Sequence, residues 1–166
     1  ALKLPDLPKV AIAVSPDREM IADLCKLGID FYQFHYSADR TPRSRLQEWS
    51  SILGPEKLWL APKIAPAQSF DEDALPWADT WLLDAYRKGV YGGTGRTSDW
   101  GEFSRISERH PEKSWILAGG LGPDNLEAAL LGTQAKRIDL NSGVEVSPGI
   151  KDPSKLELVK KVLESL

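Results

Sequence analysis

A carboxylate stands where a buried strand is expected to end. The apolar run Trp81–Leu83 is typical of a strand covered on both faces, and Asp84 follows it directly. The glycine-rich segment Gly92–Gly95 comes next, before Ser98-Asp99 predicts the start of a helix. A carboxyl group at the tip of a buried strand, followed by a glycine-rich segment, suits chemistry better than packing. The alternative is that Asp84 caps the following turn, where aspartate is common.

Two later segments suit the binding of an anion. Gly119-Gly120 follows the predicted strand Ser114–Ala118, and Asn141-Ser142-Gly143 follows the next one, Arg137–Leu140. Loops that lead from a strand toward a helix present backbone N–H groups, and the last such loops of α/β barrels often bind a substrate phosphate. The sequence therefore favours a phosphate site. The alternative is that these glycines serve only tight turns.

Other polar residues give weaker signals for chemistry. His35 and Lys63 stand at predicted strand ends, and Lys63 is interpreted as a solvated lysine. The glycine segments lack the spacing of a dinucleotide-binding fingerprint, so neither a nicotinamide nor a flavin cofactor is expected. The chain has two histidines and one cysteine, all far apart, and no metal site is expected from them.

Strand and helix patterns alternate along the chain. The predicted strands are Lys9–Val14, Phe31–His35, Leu58–Ile64, the run ending at Asp84, Ser114–Ala118 and Arg137–Leu140. Each is followed by a polar or glycine-rich segment and then, in most cases, by a helical pattern, although residues 144–152 are expected to form an irregular connection. This alternation predicts a parallel α/β fold, either an open doubly wound sheet or part of a (βα)₈ barrel. In both architectures the chemistry collects at the carboxyl ends of the strands.

Length and charge limit the class of protein. The 166 residues suffice for one domain, predicted over residues 1–166, and a net charge of −3 offers no basic excess for a nucleic-acid partner. No apolar run approaches the roughly 20 residues of a membrane helix, so no membrane partner is expected. A single cysteine, Cys25, is consistent with a reducing compartment, and the cytoplasm is the predicted location.

Several short segments occur in a specific order. They are QFH (33–35), LLDA (82–85), GGTG (92–95), SDW (98–100), LAGGLGPDN (117–125), DLNSGVE (139–145) and SPGIKD (147–152). Together they resemble the phosphoribosylanthranilate isomerase family of tryptophan biosynthesis, whose fold is a small (βα)₈ barrel. The resemblance covers nearly the whole chain and implies that the six predicted strands are strands three to eight of that barrel.

The resemblance implies an Amadori rearrangement of a phosphorylated aminosugar, with no cofactor. A general acid protonates the ribose ring oxygen to open the ring, and a base then removes the proton from C2 of the imine. The family's acid falls on Asp84. Residues for substrate and phosphate binding are implied at His35, Gly93, Gly95, Gly119, Gly120, Asn141, Ser142 and Gly143.

The family's base is a cysteine of the first strand, within a Lys-x-Cys-Gly pattern that this sequence lacks. The base is therefore expected on a segment N-terminal to this chain, with the barrel incomplete by two βα units at that end. Open barrel edges would then allow self-association. The alternative function is a non-catalytic phosphate-binding or interaction module derived from a truncated barrel.

Overall fold

The structure, a computed structural model, describes residues 7–64, 68–84 and 100–166. Its strands are β1 (Val10–Val14), β2 (Phe31–Ser37), β3 (Leu58–Lys63), β4 (Thr80–Asp84), β5 (Ser114–Ala118), β6 (Glu145–Ser147) and β7 (Ile150–Lys151). Its α-helices are α1 (Arg18–Cys25), α2 (Arg43–Leu53), α3 (Trp100–Arg109), α4 (Leu126–Thr133) and α5 (Pro153–Ser165). Short 3₁₀ helices span Glu72–Trp77 and Ser142–Val144. The alternation of parallel strands with helices confirms the predicted α/β class.

The chain forms two compact units, Ala1–Trp81 and Leu82–Leu166, and the boundary between them falls within β4. The prediction of one domain over residues 1–166 stays a prediction. None of the helices in the described ranges is both long enough and apolar enough to cross a membrane.

In the first unit, β1, β2, β3 and the start of β4 run parallel in that order. Successive side chains of a strand point to opposite faces, so Phe34 and Tyr36 of β2 lie on the same face. Both rings pack edge-on against the buried Trp49 of α2, with centroids 5.3 and 6.1 Å away. This packing fixes the helix-covered face of the sheet and leaves Gln33 and His35 on the other face.

In the second unit, the end of β4 neighbours β5. Helix α4 and helix α5 enclose a small apolar core in which Leu126, Val144 and Val159 are fully or almost fully buried. Asp152 caps α5, because its side chain accepts hydrogen bonds from the backbone N–H groups of Ser154 and Lys155. Because Val144 is buried in this core, it anchors the loop that precedes it to α4 and α5.

The prediction of a sixth strand at Arg137–Leu140 is wrong. This segment makes only an isolated parallel bridge between Ile138 and Leu117, supported by hydrogen bonds from Leu117 N to Arg137 O and from Asp139 N to Leu117 O. The side chain of Asn141 donates to Asp139 Oδ2 at 2.9 Å. The backbone of Asn141, at φ −123° and ψ −103°, leaves the extended conformation and begins the short 3₁₀ turn. Six βα units are therefore not seen in the described residues.

The segment after this bridge is more regular than expected. An irregular connection is predicted for residues 144–152, but β6 and β7 form an antiparallel hairpin there. The hairpin is short because Gly149, at φ 81°, sits between the two strands in a conformation that favours glycine.

Candidate active site

Asp84 is the last residue of β4. The preceding Trp81, Leu82 and Leu83 are buried, whereas Asp84 is exposed at the carboxyl end of the strand. The apolar character of this strand buries its body and leaves an exposed carboxylate at its tip. Asp84 belongs to the same unit as the glycine loops described next.

The β5–α4 loop (Gly119–Asn125) begins with two glycines in unusual conformations. Gly119 has φ 109° and Gly120 has φ 61°, values that residues other than glycine rarely adopt. Asn125 closes this loop, because its Oδ1 accepts from Gly122 N at 2.9 Å and its Nδ2 donates to Gly120 O at 3.1 Å. One amide side chain therefore fixes both ends of the turn that contains Gly120 and Leu121.

The Asn141 loop (Asn141–Gly143) follows the bridged segment. Val144 N donates to Asn141 O at 3.1 Å, which starts the short 3₁₀ turn. Lys151, on β7, extends its ammonium group to the carbonyl oxygens of Leu140 and Asn141 at 3.1 and 3.3 Å. The hairpin therefore holds this loop from its carbonyl side.

The two loops meet backbone to backbone. A Cβ added to Gly143 would overlap the carbonyl group of Leu121 and lie 3.0 Å from Gly120 O. A Cβ added to Gly122 would lie 2.6 Å from Gly143 O. Glycine is required at both positions, because any side chain would force the loops apart.

Several N–H groups of these loops are left available. Among the described residues, the hydrogen bonds of loops and turns use none of the N–H groups of Gly120, Leu121 and Ser142 as donors. Adjacent backbone N–H groups at strand ends form concave sites for anions. The structure therefore brings together four predicted residues of the phosphate site, Gly120, Asn141, Ser142 and Gly143, while Gly119 adjoins them in the chain.

His35 lies in the first unit, half-buried on β2. Its Nε2 is 2.9 Å from the amide nitrogen of Gln33, which is buried on the same face of the strand. An amide nitrogen only donates, so His35 Nε2 accepts this hydrogen bond. His35 is thus held in one orientation, and its role in lining the substrate pocket stays a prediction.

The other sequence-based candidates divide into two groups. Lys63 is exposed at the end of β3, as a solvated lysine is expected to be, and Cys25 is exposed on α1. Gly93, Gly95 and the rest of the GGTG segment lie outside the described residues. Within the described residues, no group of three or more His, Cys, Asp or Glu side chains is arranged to hold a metal ion.

Sequence reasoning misses two residues that hold the site. The sequence pattern assigns Asn125 only to a helix start, although an asparagine just after a glycine turn is a known local acceptor for loop N–H groups. Lys151 falls in the predicted irregular connection, and no periodic pattern indicates that it reaches back ten residues. Its partner Glu145 has a side chain only 14% exposed and lies 3.0 Å from the ammonium nitrogen. The hydrogen bond from Lys151 lowers the pKa of the Glu145 carboxyl.

Comparisons with known proteins identify similar sequences and structures. The family model of N-(5′-phosphoribosyl)anthranilate isomerase matches residues 5–163. The curated isomerase of Gloeothece citriformis is 38% identical over 155 residues, which are 92% of this chain and 68% of that protein. This confirms the predicted activity, an aldose–ketose isomerase of tryptophan biosynthesis.

Solved structures support the fold. The phosphoribosyl anthranilate isomerase of Thermotoga maritima is similar with a TM-score of 0.70 and 24% identity, covering 99% of this chain and 77% of that one. A phosphoribosyl anthranilate isomerase in complex with reduced 1-(O-carboxyphenylamino)-1-deoxyribulose 5-phosphate is similar with a TM-score of 0.66 and 22% identity, covering 99% and 76%. These likenesses concern the fold alone, and they do not confirm the assignment to strands three to eight. With the family model and the curated relative taken together, the chain belongs to the N-(5′-phosphoribosyl)anthranilate isomerase family.

Proposed function

We propose that this chain carries out the family's Amadori rearrangement with Asp84 as general acid and with the β5–α4 and Asn141 loops as the phosphate cradle. The contact between Gly143 and Leu121 carries this proposal, because it joins the two loops into one surface of available N–H groups. Asp84 ends a strand in the same unit as both loops. A phosphorylated aminosugar has the two groups that such an arrangement serves, an anion to hold and a ring oxygen to protonate.

In the proposed reaction, Asp84 donates a proton to the ribose ring oxygen, the bond from that oxygen to C1 breaks, and a protonated imine forms between C1 and the anthranilate nitrogen. The positive imine withdraws electrons from the adjacent carbon. A base then takes the proton from C2, and the resulting enolamine becomes the aminoketose. No oxidant is consumed, because C1 is reduced while C2 is oxidised. The base at C2 is not assigned to a described residue.

The ligand of one structural neighbour supports the same substrate class. That isomerase holds a reduced 1-deoxyribulose 5-phosphate bearing a carboxyphenylamino group. A 5-phosphate of this kind would be held by the N–H groups of the two loops, as phosphates are at the last loops of barrels. His35 is proposed as a further substrate-binding residue, as the resemblance implies.

Three finer assignments belong to the same proposal. The order of the motifs supports placing β1–β5 and the Ile138 segment at strands three to eight of the family's barrel. Self-association through open edges would use β1, where Ile12 and Val14 are 63% and 75% exposed. The single cysteine supports a cytoplasmic location.

The test is the substitution Asp84→Asn, which keeps the size of the side chain and removes the acid. The rate of conversion of N-(5′-phosphoribosyl)anthranilate, followed by chromatography, should fall about 10²- to 10⁴-fold. Binding of inorganic phosphate should change little, because the loops are untouched. Asp23→Asn is the matched control, since that exposed carboxylate pairs with Lys26 at the end of α1.

The outcomes separate the two functions. An Asp84→Asn protein with the turnover of the unaltered chain would contradict the proposed acid. An unaltered chain that binds phosphate but converts no substrate would favour the non-catalytic phosphate-binding module.

A further inference from the structure

The ammonium group of Lys151 lies on the carbonyl side of the Asn141 loop. It is within 3.3 Å of the Leu140 and Asn141 carbonyl oxygens and of the Asn141 side-chain oxygen. Glu145 accepts from the same ammonium group at 3.0 Å. The side chain of Lys151 is 40% exposed, so these contacts, and not burial, define its position.

The peptide groups that Lys151 contacts are the ones that carry the N–H groups of Asn141 and Ser142. The Leu140 carbonyl belongs to the same planar unit as Asn141 N–H, and the Asn141 carbonyl to the same unit as Ser142 N–H. In a trans peptide the C=O and N–H bonds point in opposite directions. Both N–H groups therefore point away from the ammonium group.

A cation on the carbonyl end of a peptide polarises the whole unit. Hydrogen bonds in a chain strengthen one another, so an N–H group becomes a better donor when its carbonyl partner is bound to a charged group. The ammonium group also adds a positive field across the thin loop, toward the face where the N–H groups emerge.

We propose that Lys151 is a positioning residue for the phosphate, which acts through the two peptide groups of the Asn141 loop and not by touching the substrate. This inference rests on the phosphate cradle of the proposed function. In this proposal the β6–β7 hairpin places the Lys151 charge on the carbonyl side of the Asn141 loop.

Further contacts fix the charge in place. Glu145 Oε2 accepts from Gly149 N at 3.3 Å, and Lys155 Nζ donates to Glu145 O at 2.8 Å. The Glu145 carboxylate, which orients Lys151, is thus tied to the hairpin turn, and the Glu145 backbone carbonyl is tied to the start of α5. An alternative is that Lys151 only braces the loop mechanically and that its charge is immaterial.

The experiment measures binding of inorganic phosphate by calorimetry and, in parallel, kcat and KM of the full chain. Lys151→Met removes the charge but keeps most of the aliphatic stem, and should weaken phosphate binding and raise KM by about five- to tenfold with kcat nearly unchanged. Lys151→Arg keeps the charge and should restore most of the affinity. Lys160→Met is the matched control, because Lys160 is exposed on α5 and pairs with Glu164 of the same helix.

Glu145→Gln separates charge from bracing, and it still reports if Lys151→Met fails to fold. It removes a negative charge near the loop, while the side-chain carbonyl of the new glutamine can still accept from Lys151. An electrostatic role predicts phosphate binding that is equal or tighter. A purely mechanical role predicts weaker binding, in step with the loss of stability measured by thermal unfolding.

The inference would be overturned by a Lys151→Met protein with unchanged phosphate affinity, by a failure of arginine to restore it, or by weakened binding in Glu145→Gln. Those results leave turnover by the unaltered chain, and thus the proposed function, standing. If the unaltered chain binds phosphate without turnover, the proposed function fails and the Lys151 variants still decide the inference. If it binds no phosphate, both are wrong.

Discussion

The two loops that are proposed to bind phosphate, the β5–α4 loop and the Asn141 loop, are held by different means. The β5–α4 loop is closed by Asn125, a neutral amide at the loop's own C-terminal end. The Asn141 loop is closed by Lys151, a cation that returns from a hairpin ten residues later. A neutral clamp can fix only the shape of a loop, whereas a charged clamp fixes the shape and contributes to the field that an anion experiences.

The difference follows from what each loop leads into. The β5–α4 loop runs straight into a helix, so a residue at the helix start lies within reach of the loop and a short side chain suffices. The Asn141 loop instead runs into a 3₁₀ turn and a hairpin. A long side chain from the hairpin takes the place of the local cap.

Disrupting the contact between the two loops tests this comparison first, and it should have the largest effect on stability and phosphate affinity. Gly143→Ala places a methyl group into the Leu121 carbonyl, so the loops must separate or the chain must lose about 3 kcal/mol of unfolding free energy. Phosphate affinity should fall together with stability, as measured by calorimetry and urea unfolding. Both loops should be displaced to the same extent, because neither Asn125 nor Lys151 can compensate for a backbone clash.

Gly132→Ala is the matched control for that substitution. Gly132 lies in α4, and a Cβ added there would meet Trp100 Cε3 of α3 at 3.6 Å, an ordinary van der Waals distance. Alanine is the better helix former, so this variant should be as stable as the unaltered chain or more so, by up to about 1 kcal/mol. If Gly143→Ala were equally harmless, the loops would not be in the contact described.

Substitution of Asn125, the neutral clamp, should have an intermediate effect on stability and on KM. Asn125→Ala removes two hydrogen bonds and should cost about 1–2 kcal/mol of unfolding free energy, with a parallel rise in KM. Asn125→Asp keeps an acceptor for Gly122 N but loses the donor to Gly120 O and adds a negative charge. It should therefore raise KM more than its effect on stability would suggest.

The two Asn125 variants also show whether the clamp is purely geometric. Steady-state kinetics and urea unfolding, taken on the same preparations, compare the two effects directly. Equal losses of phosphate affinity in Asn125→Ala and Asn125→Asp would mean that charge beside this loop is unimportant, which would remove the contrast with Lys151.

Sequence reasoning identifies the parts of the fold that follow from local patterns. The buried run before Asp84 predicts β4 because a strand covered on both faces must be apolar throughout. The glycines at 119 and 120 predict a turn, and their positive φ angles explain why glycine stands there. Helix α4 begins beside Asn125 because its apolar residues recur with helical spacing.

The parts that sequence reasoning misses depend on contacts that no local pattern specifies. The segment Arg137–Leu140 has the composition of a strand, yet it pairs with β5 only at Ile138, and the backbone leaves the extended conformation at Asn141. Leu158 and Leu163 of α5 fit a buried helical stripe, but they are 49% and 47% exposed, whereas Val159 is buried. No local pattern tells which side of a helix finds a partner, or that Lys151 and Glu145 meet.

The smallest expected effect is a pH dependence of the unfolding free energy, and it concerns only Lys151 and its partner Glu145. The hydrogen bond from Lys151 holds the pKa of the Glu145 carboxyl below its ordinary value of 4.5. The unfolded chain therefore binds a proton at this site more readily than the folded chain does. The stabilisation is fully present above about pH 5 and is lost as the pH falls through the lowered pKa of the folded state.

Unfolding in urea at about pH 7 and about pH 3 should show this directly. Glu145→Gln should be less stable than the unaltered chain at neutral pH, and the gap should narrow in acid, because the unaltered carboxyl is then losing its charge. In a Lys151→Met background the pH-dependent gap should be smaller, since the largest cause of the lowered pKa is gone and the hydrogen bond from Gly149 N remains. A gap of unchanged size without Lys151 would mean that Lys151 does not set the pKa of Glu145. The Asn141 loop would then be braced mechanically, as the β5–α4 loop is by Asn125.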